Sequence, residues 1–338
     1  MVVTTSGFVL TMKLYRYQLG CLFFAAVVTI FLGCRPFELG HDMDAYREIF
    51  ESALSGNYSV EPLFGLFSLM AGGVGAGFRG ILWIYAIASI GVKILFFRRV
   101  VEFKWSYIFC FLLIYASSFM WLYDVSQLRA SLMLTLIPFL FGARKSRTHT
   151  ALGFAAVLSH YSGAVAIGQR LMRIPGIARL VLIPLAILLV VANSGQLNQL
   201  AIELVLDKYA GAVESPIVYL VHPYFASQVL FLWCYRKSGN EEFGLIAMKN
   251  VWWTVMALCG LFLILLLMGS RTAAFRFLEI GLYLSFLFSF VVYVKSGFVR
   301  RSGVVCFFLL VSFVLFNFIL PEVPIIDVEV LNDFLNPL

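Results

Sequence analysis

The chain has 338 residues, of which 62% are hydrophobic and 13% charged, with a mean hydropathy of +0.94 and a formal net charge of +7. Soluble domains carry about 25% charged residues, so this composition excludes an ordinary water-soluble globule and makes lipid the solvent. The positive balance is what the cytoplasmic loops of a membrane protein require, and it does not argue for nucleic acid as a partner.

A membrane-crossing helix needs roughly 20 apolar residues to span a hydrocarbon core of about 30 Å. By that measure the chain reads as an all-α, polytopic membrane helical bundle of about 10 spans. They lie near residues 17–34, 81–97, 105–123, 127–142, 150–168, 177–193, 217–235, 243–268, 278–295 and 303–320. The apolar runs are continuous and lack the alternation of barrel strands, so helices are expected throughout. No soluble domain is left over, and residues 1–338 are expected to form a single membrane domain.

Short-loop Lys and Arg residues set the orientation. Lys13 and Arg16 place the N-terminus in the cytoplasm, so the acidic segment with Glu38, Asp42, Asp44, Glu48, Glu51 and Glu61 lies outside. Arg98, Arg99 and Lys104 return the chain to the cytoplasm after one crossing, which makes 61–77 a short interfacial or re-entrant helix within an outer loop at 35–80. Arg144, Lys145 and Arg147 mark the next cytoplasmic loop, yet Arg170, Arg173 and Arg179 also belong inside. A broken hairpin with its apex at Ser159-His160-Tyr161-Ser162-Gly163 resolves the parity. The segment 194–216 and the tail 321–338 then fall outside, and so do Arg271 and Arg276, against the charge bias.

Two look-alikes carry no function. Phe31-Leu32-Gly33-Cys34 lacks the usual Leu of a lipoprotein cleavage box, and Gly72-Gly73-Val74-Gly75-Ala76-Gly77 has no strand before it as a phosphate loop requires. The second reads as a turn after the interfacial helix. The six cysteines stand singly without CxxC spacing and read as packed thiols, while His41, His149, His160 and His222 are scattered and make no metal-ligand spacing.

The chemistry-bearing residues cluster in a few short segments. A helix starting near Asp42 puts Asp42, Tyr46 and Phe50 on one face at i, i+4 and i+8, presenting a carboxylate beside a phenol; the alternative is a helix N-cap. Glu61 precedes Pro62, a residue suited to a first helical turn, and is either a cap or a carboxylate placed as a general base. In Tyr123-Asp124-Val125-Ser126-Gln127-Leu128-Arg129, charge entering an apolar helix is paired or functional. Either Arg129 pairs with Asp124, or it holds an anionic ligand through its planar fork of donors. His160 and Tyr161 lie in an apolar stretch, where a histidine commonly bridges helices. Arg276 and Glu279 are spaced to pair, yet Arg271, Arg276 and Arg129 together would make an electropositive pocket outside the membrane.

In order and rough spacing these elements resemble a known family. The D-x3-Y-x3-aromatic element of Asp42, Tyr46 and Phe50, the E-P-x-F element of Glu61 to Phe64, the Arg-centred segment Gln127 to Ala130 and the late His160-Tyr161-Ser162-Gly163 are similar to those of EpsG-type, Wzy-like polymerases of bacterial exopolysaccharide and O-antigen. The resemblance is good over about residues 14–170 and beyond that covers hydrophobic architecture and Arg276. It implies polymerisation of undecaprenyl-diphosphate-linked oligosaccharide repeat units on the outer face of the cytoplasmic (inner) membrane, with no cofactor and no nucleotide sugar. It implies Asp42 or Glu61 as the base, with His160 as a second candidate. Gln127, Arg129, Arg271 and Arg276 would hold substrate, and Tyr46 and Tyr161 would stack on sugars. Membrane lipids surround the chain, and a chain-length regulator of the pathway is a candidate partner.

Rival readings share some of these features. An O-antigen ligase would carry one large outer loop, for which 194–216 is small. A polyprenyl-phosphate-sugar transferase would use an acidic pair such as Asp42 and Asp44. A flippase or transporter would show repeats and buried charges, and the sequence displays neither an internal repeat nor a chain of buried charges.

Overall fold

The computed structural model describes residues 5–40, 42–56, 61–142, 146–160, 163, 223–236, 242–243, 246–267 and 271–296. Their regular structure is helical apart from one two-residue ladder. In chain order the helices are α1 (Thr5–Cys34), α2 (Met43–Leu54), α3 (Pro62–Gly73), α4 (Gly77–Arg99), α5 (Trp105–Ala116), α6 (Leu128–Gly142), α7 (Ser146–Ser159), α8 (Pro223–Tyr235), α9 (Met248–Leu267) and α10 (Arg271–Ser296). The ladder pairs Glu242 with Ala247 and Phe243 with Ile246, antiparallel, just before α9.

Among the described residues, four helices are long and apolar enough to cross a membrane, at Arg16–Cys34, Gly77–Arg99, Met248–Leu266 and Ala274–Lys295. Three shorter apolar helices accompany them at Pro62–Gly73, Trp105–Ala116 and Leu128–Phe141. Helix α10 is the axis of the bundle and α1 its edge, since 78% of the former span is buried and only 28% of the latter. α9 and α8 pack on α10, α6 packs on α4 and α7, and α1 lies against α4 and α5. Between apolar helices in lipid, packing and hydrogen bonds hold the contacts rather than water exclusion. Small residues let backbones approach: a Cβ on Gly80 of α4 would sit 2.9 Å from that of Ala71 on α3. The turn joining those two helices uses Gly75 and Gly77 at φ 71° and 59°, a left-handed backbone that suits glycine; the glycine run covers the end of α3 and the turn after it.

Several expected spans differ in their limits. The one at 105–123 breaks, because α5 stops at Ala116 and a π-helical turn occupies Trp121–Ser126. Ser117 and Ser118 each donate a hydroxyl hydrogen bond to the Ile114 carbonyl oxygen, at 2.9 and 2.6 Å, an alternative partner that weakens the helical ladder at that point. The expected span at 243–268 begins with the ladder and becomes helical only at Met248. α7 ends at Ser159 and the chain turns at His160, whose carbonyl accepts the Gly163 N–H at 2.8 Å. The second limb of the expected hairpin lies outside the described residues, as do the spans at 177–193 and 303–320, the segment 194–216, the tail 321–338 and Cys306. The other five cysteines are free thiols, with Cys21 and Cys259 buried and Cys34 and Cys110 exposed.

Two apolar clusters fill the interior. The larger joins α4 to α6 with α8 to α10. The smaller joins Met43, Tyr46 and Phe50 of α2, Phe64 and Ala71 of α3, Phe78 to Tyr85 of α4, and Leu128 and Leu132 of α6. The second cluster is the floor on which the polar residues of the early motifs stand.

Candidate functional site

A cavity of about 190 Å³ is lined by Asp42, Ala45, Tyr46, Gln127, Arg129, Ala130, His160 and Arg276. Six of these are residues that the sequence singles out, drawn from four separate segments and brought to one place by the helices α2, α6, α7 and α10.

Arg129 is where three motifs meet. Its guanidinium is ion-paired with Glu61, whose side chain is only 4% exposed against 21% for the arginine. It also lies 5.0 Å from the centre of the Tyr46 ring and 6.0 Å from that of Phe64, and those two rings stack at 5.8 Å. A carboxylate and two aromatic rings therefore hold one cation in place. Tyr46 thus supports the guanidinium. Burial pushes its hydroxyl above the ordinary phenol value, with Asp42 adding to the effect and Arg129 opposing it, so the group stays a proton-bearing donor.

The capping alternatives fail at both carboxylates. Asp42 and Glu61 occupy N-cap positions of α2 and α3, yet neither side chain makes a capping hydrogen bond. Glu61 is committed to Arg129 instead, and Asp42 faces the cavity. Of the two alternatives for Arg129, the pair with Asp124 does not form. The π-helical turn aims Asp124 away from the cavity and into the bundle, where Ser89 donates to it at 2.5 Å, Tyr115 at 2.8 Å, Lys93 at 3.5 Å, and Ser131 closes the set. Lys93 and Asp124 are each 3% exposed, a buried ion pair where the sequence displays no buried charge chain. Its signal is Lys93 itself, a charge set inside the apolar stretch of α4 between Arg79 and Arg98, where charge is costly and so is paired or functional.

Sequence reasoning also passes over Arg35, which is fully buried after α1. Its guanidinium donates to the Val125 carbonyl at 3.0 Å and lies 3.7 Å from the Met43 sulfur. Desolvation draws its pKa down to about 10, opposed by Asp124, so it remains charged at neutral pH. It fastens the start of α2, and hence Asp42, to the turn that leads into Gln127 and Arg129. Gly40 completes this joint: a Cβ there would sit 2.5 Å from the Val125 carbonyl oxygen.

Arg276, which also lines the cavity, pairs with Glu279 at 3.4 Å, as their spacing suggests. His160 lines the same cavity as Arg129 and Arg276. Tyr161 and the side chain of Arg271 lie outside the described residues. Among those described, no group of three or more His, Cys, Asp or Glu residues is arranged to hold a metal ion.

The geometry offers a carboxylate without a capping role, an imidazole and two guanidiniums around one small cavity. No curated protein and no solved structure matches the chain. A family model described as the EpsG family matches residues 19–327. That match spans most of the sequence and all the elements that build the cavity, and the chain belongs to the EpsG family.

Proposed function

We propose that this EpsG-family chain is a glycosyltransferase that polymerises undecaprenyl-diphosphate-linked oligosaccharide repeat units into a surface polysaccharide. On this reading the cavity faces the outer side of the cytoplasmic membrane, and a chain-length regulator is a candidate partner. The observation that carries the reading is the convergence of Arg129, Arg276, Asp42 and His160 on one cavity: cations for a diphosphate beside a base for a hydroxyl.

The reaction follows from that arrangement. A sugar hydroxyl of one repeat unit attacks C1 of the phosphate-linked sugar of another lipid-bound chain. The C1–O bond to the diphosphate breaks, the bond electrons leave with the diphosphate, and the hydroxyl proton passes to the Asp42 carboxylate. Asp42 is preferred to Glu61 because Glu61 is engaged by Arg129, while Asp42 lines the cavity. His160, which lines the same cavity, orients the attacking hydroxyl. Arg129 and Arg276 hold the diphosphate and stabilise the charge it gains on leaving, a preorganised electrostatic role. Each arginine is itself held by a glutamate, which fixes the fork before substrate arrives.

The test is deletion of the gene and complementation with wild type or Arg129→Ala, with membrane levels checked by immunoblot. Collapse of a polysaccharide ladder to single repeat units at equal protein level is the expected result. An unchanged ladder with Arg129→Ala overturns the reading. A ladder that persists but accumulates on carrier lipid means ligation or export, and a reconstituted protein that moves substrate without lengthening it means a transporter.

A further inference from the structure

The π-helical turn Trp121–Ser126 ends where the Gln127 N–H is shared between the carbonyls of Leu122, at 3.1 Å, and Tyr123, at 3.0 Å. Such widened turns occur disproportionately at functional sites. Here the turn is the crossing point of the elements that carry the cavity. Val125 accepts a hydrogen bond from Arg35, which precedes α2 and Asp42. Asp124 accepts one from Ser131, on the first turn of α6 beside Arg129. Tyr123 reaches the remaining element: its hydroxyl donates to the backbone carbonyl of Glu279 on α10, at 3.0 Å and across 156 positions of sequence.

That last bond connects the two arginines of the cavity. Glu279 is the residue whose carboxylate pairs with Arg276, and Tyr123 belongs to the turn that leads directly into Arg129. α6 packs on α4 and α7, whereas α10 packs on α8 and α9, so the two guanidiniums ride on different sets of helices. The Tyr123 ring is 1% exposed, stacked on Phe119 at 6.2 Å and edge-on to Tyr283 at 5.8 Å, which makes it a stiff strut. A carbonyl oxygen has two lone pairs, so Glu279 accepts from Tyr123 without giving up the helical ladder of α10. The bond is therefore not needed to build α10; it fixes where α10 stands relative to the turn.

We infer that Tyr123 is a positioning residue that sets the separation of the Arg129 and Arg276 guanidiniums, matching it to the two phosphoryl groups of a diphosphate. This rests on the polymerase reading and adds a selectivity to it. A lipid diphosphate is chosen over a lipid monophosphate because each guanidinium meets its own phosphoryl group. A monophosphate offers one group and does not sense the spacing.

The experiment measures competition binding of undecaprenyl diphosphate and undecaprenyl phosphate to the full chain in nanodiscs, for wild type and Tyr123→Phe. The substitution keeps the ring and its contacts with Phe119 and Tyr283 and removes only the hydroxyl. The preference of wild type for the diphosphate is expected to fall about fivefold in the variant, the scale of one hydrogen bond, with monophosphate binding unchanged. An unchanged preference overturns the inference and leaves the polymerase reading standing. So does an equal loss of both lipids, which a general loosening of the fold produces, and so does wild type that binds the two alike. Wild type that binds neither lipid removes the lipid-diphosphate reading and the inference with it.

Discussion

Replacing Lys93 with methionine isolates the buried pair between α4 and the π-helical turn. The substitution keeps the length of the side chain and removes its charge, leaving the Asp124 carboxylate 3% exposed with only hydroxyl donors: Ser89, Ser131 and Tyr115. Removing one partner of a buried ion pair costs about 3–5 kcal/mol, because the other charge is left uncompensated. Three hydroxyl donors and the nearby charge of Arg35 remain, which puts the expected loss at the lower end, about 3 kcal/mol. Replacing both partners by neutral side chains of similar size is often close to neutral. Lys93→Met/Asp124→Asn is therefore expected to recover to within about 1 kcal/mol of wild type. Equilibrium unfolding in mixed micelles, followed by tryptophan fluorescence, measures all three proteins. A single variant within 1 kcal/mol of wild type, or a double variant no more stable than the single, refutes the account of Lys93 as the neutralising partner.

Asp42→Asn is expected to abolish the polysaccharide ladder while shifting unfolding by less than about 0.5 kcal/mol, since the Asp42 side chain makes no capping bond to lose; a clear loss of stability would restore the capping role. Gly40→Ala places a Cβ 2.5 Å from the Val125 carbonyl oxygen and is expected to cost about 1–3 kcal/mol by overpacking. It should also lower polymer output by displacing Asp42, and unchanged unfolding and output would show that the joint is slack.

The helical class and the local motifs were legible because each depends on a short stretch of chain. Apolar runs of membrane length announce α1, α4, α9 and α10, and the i, i+4, i+8 spacing places Tyr46 and Phe50 on the buried face of α2. Pro62 marks the start of α3. What sequence could not supply were the partners. Arg129 has Asp124 five residues before it, and proximity along the chain favours that pair; the π-helical turn between them sends the two side chains in different directions. The partner it takes is Glu61, 68 residues away. A charge inside an apolar helix, such as Lys93, shows only that a counter-charge exists, not which element brings it. The break after Ala116 was hidden for a further reason: Ser117 and Ser118 are compatible with a continuous helix until their hydroxyls find the Ile114 carbonyl.

The contact of Arg35 with the Val125 carbonyl bears on how family members can be recombined. It joins the segment before α2 to the turn before α6 across 90 positions of sequence, and Glu61 makes a second tie to the same region. An exchange of residues 35–73 between two EpsG-family chains therefore transplants half of a joint. Grafts that also carry the stretch around 121–131 keep both halves, so the unit of inheritance for this cavity is a pair of distant segments rather than a loop.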